Sequence, residues 1–438
     1  MEFKPGTVIK LENGNKAIIE KKLGAGGQGC VYRVTVDGRP YALKWYTCRL
    51  QNKTAFKKNL QDNIAAGSPD EMFVWPLCLA EEMNNGSFGY IMELIPKEYT
   101  QFCYILKGKK DGRSINFSSD KAIVTAALNI VHAFRSLHRI GLSYQDVNDG
   151  AFFFNIQTGD VRIVDNDNIT PGGLMNPGNI GGKPGYMAPE VFTGKDYPGV
   201  LSDRHSLAVI LFKLLCRHDP MMGRAYVESV CITEERELEL YGTRPVFIFD
   251  KCDTSNRPVK GIHENPIKIW PLLPDYIQEA FVTTFCDGLK NPNARLPDNE
   301  WHKKLLRYLD ELLVCPICGD EYWLGKFEPG KQMKFACKHT FSYPHILQVQ
   351  NYLFPLFPGT KLLAHHINHN VYDYLKVEGT VIMNKNNPNL WGIKNVGSQS
   401  WLFTIPGGQT KEIENKSVLP IAIGEEINFG NVTGKVIK

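Results

Sequence analysis

Long apolar segments are missing from the 438-residue sequence, which excludes several classes of protein. The longest apolar run, residues 207–216, contains a lysine and is far too short to span a membrane, so we expect a buried helix there. The first sixteen residues contain no apolar core of the kind found in secretory signals. An excess of charge of one sign is also missing, because 50 basic and 46 acidic residues leave a net charge of +4. The sequence therefore predicts no membrane segment and no nucleic-acid partner.

A disulfide framework is not expected either. Eight of the 11 cysteines stand singly in apolar or mixed segments, which is typical of a protein kept in a reducing cytoplasm. The other three, Cys315, Cys318 and Cys337, lie together near the C-terminus. Internal repeats and low-complexity runs are absent from the sequence, and its length predicts two to four domains.

Turn signals and hydrophobic periods indicate the order of the elements. Residues 7–46 alternate with a period of two and are interrupted at Asn13-Gly14 and Asp37-Gly38, which predicts an antiparallel sheet of hairpins. A helix over 53–66 and strands near 73–80 and 88–95 should follow. Beyond Pro96 the spacing of apolar residues becomes helical, and residues 219–273 show little regular period. The predicted helices cover 120–140, 202–216 with Ser202 and Asp203 at its start, 274–287 and 298–313.

The stretch from Leu142 to Asp167 contains two separated aspartates, Asp146 and Asp165, each beside a short apolar segment. A hairpin turn at residues 157–160 is predicted between them. Two carboxylates at the ends of a rigid hairpin suit a reaction that needs one base and one metal ligand. The alternative is a surface hairpin whose ends happen to be acidic.

A glycine-rich turn and a lysine precede this stretch. Gly24, Gly26 and Gly29 lie between two predicted strands, where backbone amides could approach phosphates without obstruction. A dinucleotide-binding unit would need a helix directly after the glycines, and the sequence predicts a strand there. Lys44 lies within a strand among aromatic residues, where a cation is costly unless it meets an anion. The alternative is a lysine at the exposed side of the sheet.

Taken in order, these segments resemble the signature set of protein kinases. The motifs are Gly24-x-Gly26-x-x-Gly29-x-Val31, Lys44 in A-L-K, the Asp146 loop, Asp165, and GYMAPE at 185–190. The resemblance covers residues 16–312 and implies a two-lobed α+β fold that uses ATP with Mg²⁺ or Mn²⁺. It implies that Lys44 pairs with the α- and β-phosphates, Asp146 accepts the proton of a substrate hydroxyl, and Asp165 holds Mg²⁺.

The resemblance also implies structural and nucleotide-binding roles. Glu190 and Arg295 would form a buried ion pair, and Asp203 would brace the catalytic loop. The adenine pocket would be formed by these residues: Val31, Ala42 and Phe153 on the two faces of the base, Met92 at the back, and the backbone from Glu93 to Ile95 along its edge.

Several kinase positions are altered. The usual second metal ligand, an asparagine, is replaced by Ala151, so Mg²⁺ would depend on Asp165, or on Asp167 if that side chain reaches the cleft. Asn155 is too far along the hairpin to substitute. The usual catalytic-loop lysine is Asn148, and Lys183 is a candidate for the missing cation, with an exposed lysine as the alternative.

Two regulatory positions are altered as well. The helix acid that should pair with Lys44 has one acidic candidate, Asp62, with Gln61 as its rival. Gln145 stands where an arginine would receive a phosphorylated loop, and the loop at 166–182 offers Thr170 as its acceptor. Control by loop phosphorylation is therefore not expected.

More narrowly, the chain resembles bacterial kinases that are encoded in three-gene, tellurite-resistance-associated sets. The segments that suggest this are 73–80, 164–169, 244–250, 255–259 and the cysteine-rich module after them. The resemblance implies a cytoplasmic signalling kinase whose partners are a PP2C-type phosphatase and a von Willebrand A-domain protein.

The C-terminal part differs from the rest of the chain in its residue composition and spacing. Cys315, Cys318 and Cys337 together with His339 have the spacing of a zinc ribbon, and His345 is an alternative fourth ligand. A metal-free aromatic minidomain is the other interpretation. Residues 359–438 resemble a forkhead-associated-type β-sandwich, but they lack an evident Arg and Ser pair for binding phosphate, which favours an interaction or packing module.

The sequence thus predicts four parts, with boundaries at 1–96 and 97–313 for the two kinase lobes, 314–346 for the zinc ribbon and 347–438 for the β-sandwich. The expected function is an ATP- and Mg²⁺-dependent protein Ser/Thr kinase. The first alternative is a nucleotide-binding pseudokinase scaffold, because Ala151 and Asn148 replace the usual residues. The second is an interaction protein whose C-terminal part carries the function.

Overall fold

The computed structural model describes residues 2–47, 50, 52–174, 182–325, 332–350, 352–368 and 376–437. The chain divides into two compact units, Met1–Leu305 and Leu306–Lys438. Within the described ranges, no helix has the length and apolar character needed to cross a membrane. Helices dominate much of the first unit and strands dominate the second, so the predicted α+β class is confirmed.

An antiparallel six-stranded sheet begins the first unit, in the order β1-β2-β3-β4-β6-β5. The predicted hairpin turns are present, with positive φ angles at Gly14, Asp37 and Gly38. Tyr32, Leu43 and Trp45 are buried in the core beneath the sheet. The strands are β1 (Val8–Lys10), β2 (Lys16–Ala25), β3 (Gly29–Val36), β4 (Arg39–Tyr46), β5 (Pro76–Leu79) and β6 (Gly89–Glu93).

Helix α1 (Lys53–Ala66) lies between β4 and β5, with the predicted bounds. It begins where the side chain of Asn52 accepts a hydrogen bond from the Ala55 amide, and it ends at Gly67, whose φ of 79° suits glycine. Phe56, Leu60 and Asn63 form its buried face. The orientation of this face decides which polar residues of the helix can approach the cleft.

The rest of the first unit is mainly helical. The four predicted helices of this region are present, and the first starts at its N-cap Ser119. The second was predicted to start at Ser202, but it starts at Val200, because the Ser202 hydroxyl reaches back to accept a hydrogen bond from the Gly199 amide. The helices are α2 (Phe102–Leu106), α3 (Asp120–Arg139), α4 (Pro189–Phe192), α5 (Val200–Cys216), α6 (Arg224–Val227), α7 (Glu234–Leu238), α8 (Glu264–Ile269), α9 (Asp275–Val282), α10 (Gly288–Lys290) and α11 (Asp298–Glu311).

Short strands and tight turns complete this region. The predicted hairpin turn at 157–160 is present, and its Gly159 packs so closely on α3 that a Cβ there would lie 2.3 Å from the Ala122 carbonyl oxygen. The strands are β7 (Tyr99–Gln101), β8 (Lys109–Lys110), β9 (Arg113–Ser114), β10 (Leu142–Ser143), β11 (Phe152–Asn155), β12 (Val161–Ile163) and β13 (Thr170–Pro171). Turns of 3₁₀ or π helix cover Asn166–Asn168, Glu239–Thr243, Trp270–Leu272, Thr283–Asp287 and Pro292–Ala294.

The second unit starts with two small hairpins, β14 (Leu312–Val314) with β15 (Glu321–Trp323) and β16 (Gln332–Lys334) with β17 (Thr340–Ser342). A six-stranded and a four-stranded antiparallel sheet then share one buried core and form a β-sandwich. Its first strand begins at His345, two residues before the predicted boundary at residue 347. Its elements are β18 (His345–Val349), β19 (Tyr352–Leu356), β20 (Lys361–Leu363), α12 (Ala364–Ile367), β21 (Val377–Met383), β22 (Trp391–Asn395), β23 (Trp401–Thr404), β24 (Thr410–Ile413), β25 (Val418–Pro420), β26 (Glu426–Asn428) and β27 (Thr433–Ile437).

Candidate active site

Lys44 on β4 is buried against two carboxylates that come from a distant part of the chain. Its Nζ lies 2.9 Å from Asp165 Oδ1 and 2.9 Å from each carboxylate oxygen of Asp167. Burial alone would lower the pKa of the Lys44 ammonium, but the charges of Asp165 and Asp167 raise this pKa above its usual value. Lys44 is therefore a fixed cation beside the loop that carries both aspartates.

Asp146 follows β10, in a loop whose backbone is anchored to the side chain of Asp203. The backbone amides of Tyr144 and Gln145 donate to the two carboxylate oxygens of Asp203, at 2.6 and 3.1 Å. Burial, together with the charge of Asp165, raises the pKa of the Asp146 carboxyl to about 6. A carboxylate of this pKa can accept a proton near neutral pH.

Glu190 and Arg295 form the ion pair expected from the sequence. The guanidinium makes two parallel contacts, from Nη1 to Glu190 Oε1 at 2.6 Å and from Nη2 to Oε2 at 2.7 Å. It also donates to the carbonyl oxygens of Leu201 and Gly288, and the Arg295 side chain is completely buried. The pair therefore joins the start of α4 to α5 and to the segment before α11.

Comparison with known families identifies the chain. The family described as protein kinase domain matches residues 18–241, just over half of the sequence. The chain belongs to the protein kinase domain family. This match confirms the kinase expected from the order of the sequence motifs.

Individual kinases resemble the chain over different lengths. The dual specificity protein kinase shkB of Dictyostelium discoideum is 24% identical over 328 residues, which cover 70% of this chain and 43% of that protein. The serine/threonine-protein kinase SIK2 of Gallus gallus is 37% identical over 125 residues, or 27% of this chain and 15% of that protein. The autoinhibited serine kinase domain of the giant muscle protein titin gives a TM-score of 0.47 at 15% identity, over 66% of this chain and 80% of that one. The chain thus spans less than half the length of these two curated relatives, both of which are named as protein kinases.

In this kinase domain, the predicted helix acid is wrong. Asp62 pairs with Lys58 one turn away on the exposed side of α1, and its side chain is 60% exposed. The Gln61 amide lies 3.5 Å from a carboxylate oxygen of Glu12 and also stays outside the cleft. The reason is that Phe56 and Leu60 occupy the buried face of the helix.

The predicted second metal ligand is also corrected. The Asp167 carboxylate is completely buried, and it accepts hydrogen bonds from Lys44 and from the hydroxyls of Tyr46 and Tyr90. Because its oxygens are engaged on the inner side of the loop, Asp167 is not available as a Mg²⁺ ligand. Asp165, whose side chain is 37% exposed, is the carboxylate that faces outward.

The altered catalytic-loop positions lie beside Asp146. The Asn148 amide donates to the Asp146 backbone oxygen at 3.1 Å and to its Oδ1 at 3.2 Å. Lys183 reaches the same loop, but its Nζ pairs with Asp149 Oδ1 at 2.6 Å and its side chain is 54% exposed. Ala151 is completely buried and offers no ligand oxygen to the cleft. The predicted acceptor Thr170 is buried on β13, and residues 175–181 of the same loop lie outside the described residues.

The residues expected to line the adenine pocket come from two regions of the chain. In β4, Ala42 pairs with Met92 of β6, and both side chains are buried. Val31 lies opposite Lys44, while Phe153 lies on β11 and is partly buried. Glu93 is the last residue of β6 and is exposed, and Ile95 follows in a partly buried position.

The glycines of the predicted phosphate-binding turn differ in their surroundings. A Cβ on Gly29 would lie 2.0 Å from the Trp45 carbonyl oxygen, whereas a Cβ on Gly24 or Gly26 would meet nothing within 4 Å. Gly29 is therefore required for the pairing of β3 with β4, while Gly24 and Gly26 leave their turn open.

We expect Gly29→Ala to lower the free energy of unfolding by about 1–3 kcal/mol, because the added methyl group forces the two strands apart. Gly26→Ala is the matched control and should change this free energy by less than about 0.5 kcal/mol. Thermal denaturation of the two variants measures the difference. Equal melting temperatures would contradict the assigned role of Gly29.

Sequence reasoning missed His138, which holds three helices together. Its Nε2 lies 3.1 Å from Asp203 Oδ2 on α5, and its Nδ1 lies 2.8 Å from Asp298 Oδ2 on α11. Burial acts to lower the pKa of the ring, but the bonds and charges of Asp203 and Asp298 raise it to about 9. The only signal in the sequence is that His138 lies near the end of a predicted helix, which does not reveal either partner.

The stability of the protein should depend on this imidazolium. Because the folded-state pKa of about 9 exceeds the usual value of 6.5 in an unfolded chain, the stabilisation is fully present below pH 6.5 and is lost as the pH rises through 9. The expected loss is about 3 kcal/mol. Urea denaturation at pH 6, 7.5 and 9.5 measures it, and His138→Gln should show a flatter dependence over this window. Equal slopes in both proteins would exclude His138 as the cause.

The cysteine cluster in the second unit brings four predicted ligands together. The Sγ atoms of Cys315, Cys318 and Cys337 lie 3.3–3.7 Å from Nδ1 of His339, and all four ligand atoms lie within 4.8 Å of one another. His345 lies on β18, outside this cluster. Residues 326–331 and 369–375, which belong to the predicted zinc ribbon and β-sandwich, lie outside the described residues.

Proposed function

We propose that this protein transfers the γ-phosphoryl group of ATP to serine or threonine hydroxyls of protein substrates. The observation that carries the proposal is the convergence of Lys44 and Asp165, which are 2.9 Å apart, with Asp146, whose pKa responds to the charge of Asp165. These three groups come from positions far apart in the sequence. They also match, one by one, the groups that phosphoryl transfer requires.

Each group has a distinct task in this proposal. Lys44 binds the α- and β-phosphates, and Asp146 accepts the proton of the substrate hydroxyl as it attacks. Asp165 holds Mg²⁺, which when bound neutralises charge on the phosphates. The oxygen donors present fit Mg²⁺ even without a ligand from Ala151, because this ion commonly keeps several waters and binds through one or two carboxylates together with phosphates.

Lys183 is proposed as a further cation near the transferring phosphoryl group. Its pairing with Asp149 supports a position on the wall of the catalytic loop, although its partner is not Asp146. Lys183→Met should therefore lower kcat for phosphotransfer while Lys195→Met, at an exposed lysine, leaves it unchanged. Equal rates would leave Lys183 as an exposed lysine with no part in the reaction.

The alternative is a nucleotide-binding pseudokinase scaffold, which Ala151 and Asn148 favour. Incubation with labelled ATP and Mg²⁺ or Mn²⁺, followed by phosphoamino-acid analysis, separates the two. We expect phosphoserine or phosphothreonine on the protein or on an added substrate, and no label with Asp146→Ala. Nucleotide binding without any label would support the scaffold, and equal label in both proteins would exclude Asp146 as the base.

The proposed cellular role and partners of the kinase are inferred from the resemblance to kinases of bacterial three-gene sets. It suggests cytoplasmic signalling with a PP2C-type phosphatase and a von Willebrand A-domain protein as partners. The relatives described above are eukaryotic, so this assignment is supported by the sequence segments alone. Co-purification of these two partners with the full chain tests it. In the same way, a role as an interaction or packing module is a proposal for the β-sandwich, because residues 359–438 lack an evident Arg and Ser pair for binding phosphate.

We further propose a structural Zn²⁺ at Cys315, Cys318, Cys337 and His339. Three thiols and an imidazole are a ligand set that structural zinc takes. Burial opposes ionisation of Cys315, but hydrogen bonds from the amides of Ile317 and Cys318 lower the pKa of its thiol to about 7, which suits a thiolate ligand.

Metal analysis of the purified protein should find about one zinc per chain, and Cys318→Ser should lose it. Cys231→Ser, at an exposed cysteine outside the cluster, should retain it. Chelation should lower the melting temperature of the wild-type protein because the two small hairpins lose their link. Full metal content in Cys318→Ser would contradict this ligand set.

A further inference from the structure

Three polar side chains of the N-terminal sheet meet on the face of the sheet that borders the cleft. Lys44 and Tyr46 are two positions apart on β4, and Tyr90 lies directly opposite Lys44 on β6. In a β-sheet, residues two apart and residues in direct register share one face, so the three side chains converge. They converge on the carboxylate of Asp167.

The Asp167 carboxylate is fully engaged within this group. Lys44 Nζ lies 2.9 Å from each of its oxygens, the Tyr90 hydroxyl donates to Oδ1 at 3.3 Å, and the Tyr46 hydroxyl donates to Oδ2. Lys44, Tyr46, Tyr90 and Asp167 are each at most 5% exposed. Burial, and then the charge of Asp167, raises the pKa of both tyrosine hydroxyls, so both remain hydrogen-bond donors.

Helix α1 contributes no charge to this group. In other protein kinases, a glutamate of the corresponding helix pairs with the lysine. Here the helix instead presents the amides of Asn59 and Asn63, and both donate to the Ile169 carbonyl oxygen at 2.9 Å. The helix therefore holds the segment that follows Asp167, and it does not hold Lys44.

We propose that Asp167 is the positioning residue for Lys44 and takes the place of the helix acid. This inference rests on the proposed function, because the position of Lys44 matters through the nucleotide phosphates. Asp165 also forms an ion pair with Lys44, but its side chain is partly exposed and it is the candidate Mg²⁺ ligand. Asp167, which is completely buried, is the carboxylate that keeps Lys44 in place when Asp165 engages another cation.

A consequence is that α1 acts on Lys44 through other groups rather than through a direct ion pair. Its Asn59 and Asn63 hold the Ile169 carbonyl oxygen, and its Phe56 packs edge to face on Tyr46, whose hydroxyl donates to Asp167. The direct contacts of Lys44 are with the carboxylates of Asp165 and Asp167.

The test compares Asp167→Asn with Asp62→Asn, the same chemical change at an exposed aspartate. We expect Asp167→Asn to lower kcat/KM for ATP by about 10²-fold, the effect expected when a reacting group is displaced by about 1 Å. The loss should appear mainly as a higher KM. Asp62→Asn should stay within twofold of the wild type. Normal kinetics for Asp167→Asn, or an equal loss for Asp62→Asn, would overturn the proposal.

A second readout does not require phosphotransfer. The Lys44 amine can be acylated by an acyl-phosphate derivative of ATP, and mass spectrometry measures the rate of this labelling at a fixed pH and a fixed probe concentration. Because Asp167→Asn removes a group that holds the amine in place, it should slow the labelling by about 10-fold or more, whereas Asp62→Asn should leave the rate unchanged. An unchanged labelling rate in Asp167→Asn would also overturn the proposal. If the wild type is labelled but transfers no phosphate, the proposed function fails while this inference is still tested.

If Asp167→Asn does not fold, Tyr46→Phe and Tyr90→Phe decide the question. Each removes one hydroxyl that donates to Asp167 and leaves every charge in place. We expect a threefold to tenfold rise in KM for ATP, roughly the cost of one lost hydrogen bond. A fall in melting temperature with no change in KM would show a purely structural role and would contradict the inference.

Discussion

Replacing Asp146 by asparagine is expected to lower kcat for phosphotransfer by a factor of about 10²–10⁴, the usual contribution of a general base. The asparagine amide is nearly isosteric with the carboxylate but cannot accept the proton of the attacking hydroxyl. In the wild type, kcat/KM should rise with pH through an apparent pKa of about 6, since the base works only in its ionised form. Steady-state kinetics between pH 5 and 8 measure both effects.

The same substitution, which lowers the activity, should raise the stability of the folded protein. The folded-state pKa of Asp146, about 6, lies above the usual value of 3.8 in an unfolded chain. The protonated carboxyl is therefore favoured by folding, and this stabilisation is present below pH 3.8 and is lost as the pH rises through 6. Asp146→Asn should consequently melt at a higher temperature than the wild type at pH 7.5. A loss of activity together with a gain of stability cannot be attributed to misfolding.

The control is Asp111→Asn, because Asp111 lies in an exposed turn with φ of 48°, which asparagine also adopts. Its kinetics and melting temperature should match those of the wild type. Unchanged kcat in Asp146→Asn would exclude Asp146 as the base. A pH profile that is flat between 5 and 7 would exclude the raised pKa as a determinant of the rate.

Replacing Glu190 by glutamine should lower the free energy of unfolding by about 3–5 kcal/mol, because it leaves the charge of Arg295 buried without its counter-ion. The Arg295 side chain is completely buried and also donates to the Leu201 and Gly288 carbonyls, so it cannot turn toward water without losing those bonds. Urea denaturation at neutral pH measures the loss.

Two further variants separate burial from charge. Glu300→Gln breaks an exposed pair with Lys303 and should cost less than about 0.5 kcal/mol. The double variant Glu190→Gln with Arg295→Met removes the buried charge altogether and should recover part of the loss. If Glu190→Gln were no more costly than Glu300→Gln, the pair would not stabilise the fold.

Local signals in the sequence predicted much of the fold. The residues of Asn13-Gly14 and Asp37-Gly38 themselves favour the turn conformations that the structure shows. Asn52 caps the start of helix α1 and Gly67 caps its end. These elements can therefore be predicted without knowledge of the rest of the chain. The residues of the candidate site were harder to predict from the sequence. The order of motifs indicated Lys44, Asp146 and Asp165, because each stands in a recognisable local segment.

The buried partner of Lys44 could not be predicted from local sequence motifs. Asp167 is 123 residues away in sequence, and its burial depends on the convergence of tyrosines from two strands. Local sequence points to Asp62, the acidic residue of the helix, but the packing of Phe56 and Leu60 turns this side chain outward. For the same reason, neither His138 nor its pairing with Asp203 and Asp298 could be identified from local pattern. Long-range packing decides which way a charged side chain points, and periodicity alone does not encode it.

The anchoring of the Asp146 loop on Asp203 has a consequence for hydrogen exchange. The amides of Tyr144 and Gln145 donate to a carboxylate in the first turn of α5, a helix whose residues are mostly buried. These two amide protons are protected while their bonds to Asp203 hold, so we expect them to exchange with solvent more slowly than the amides of a surface loop without such an anchor. The segment that presents Asp146 thus combines the path of a surface loop with amide protection that comes from a core helix.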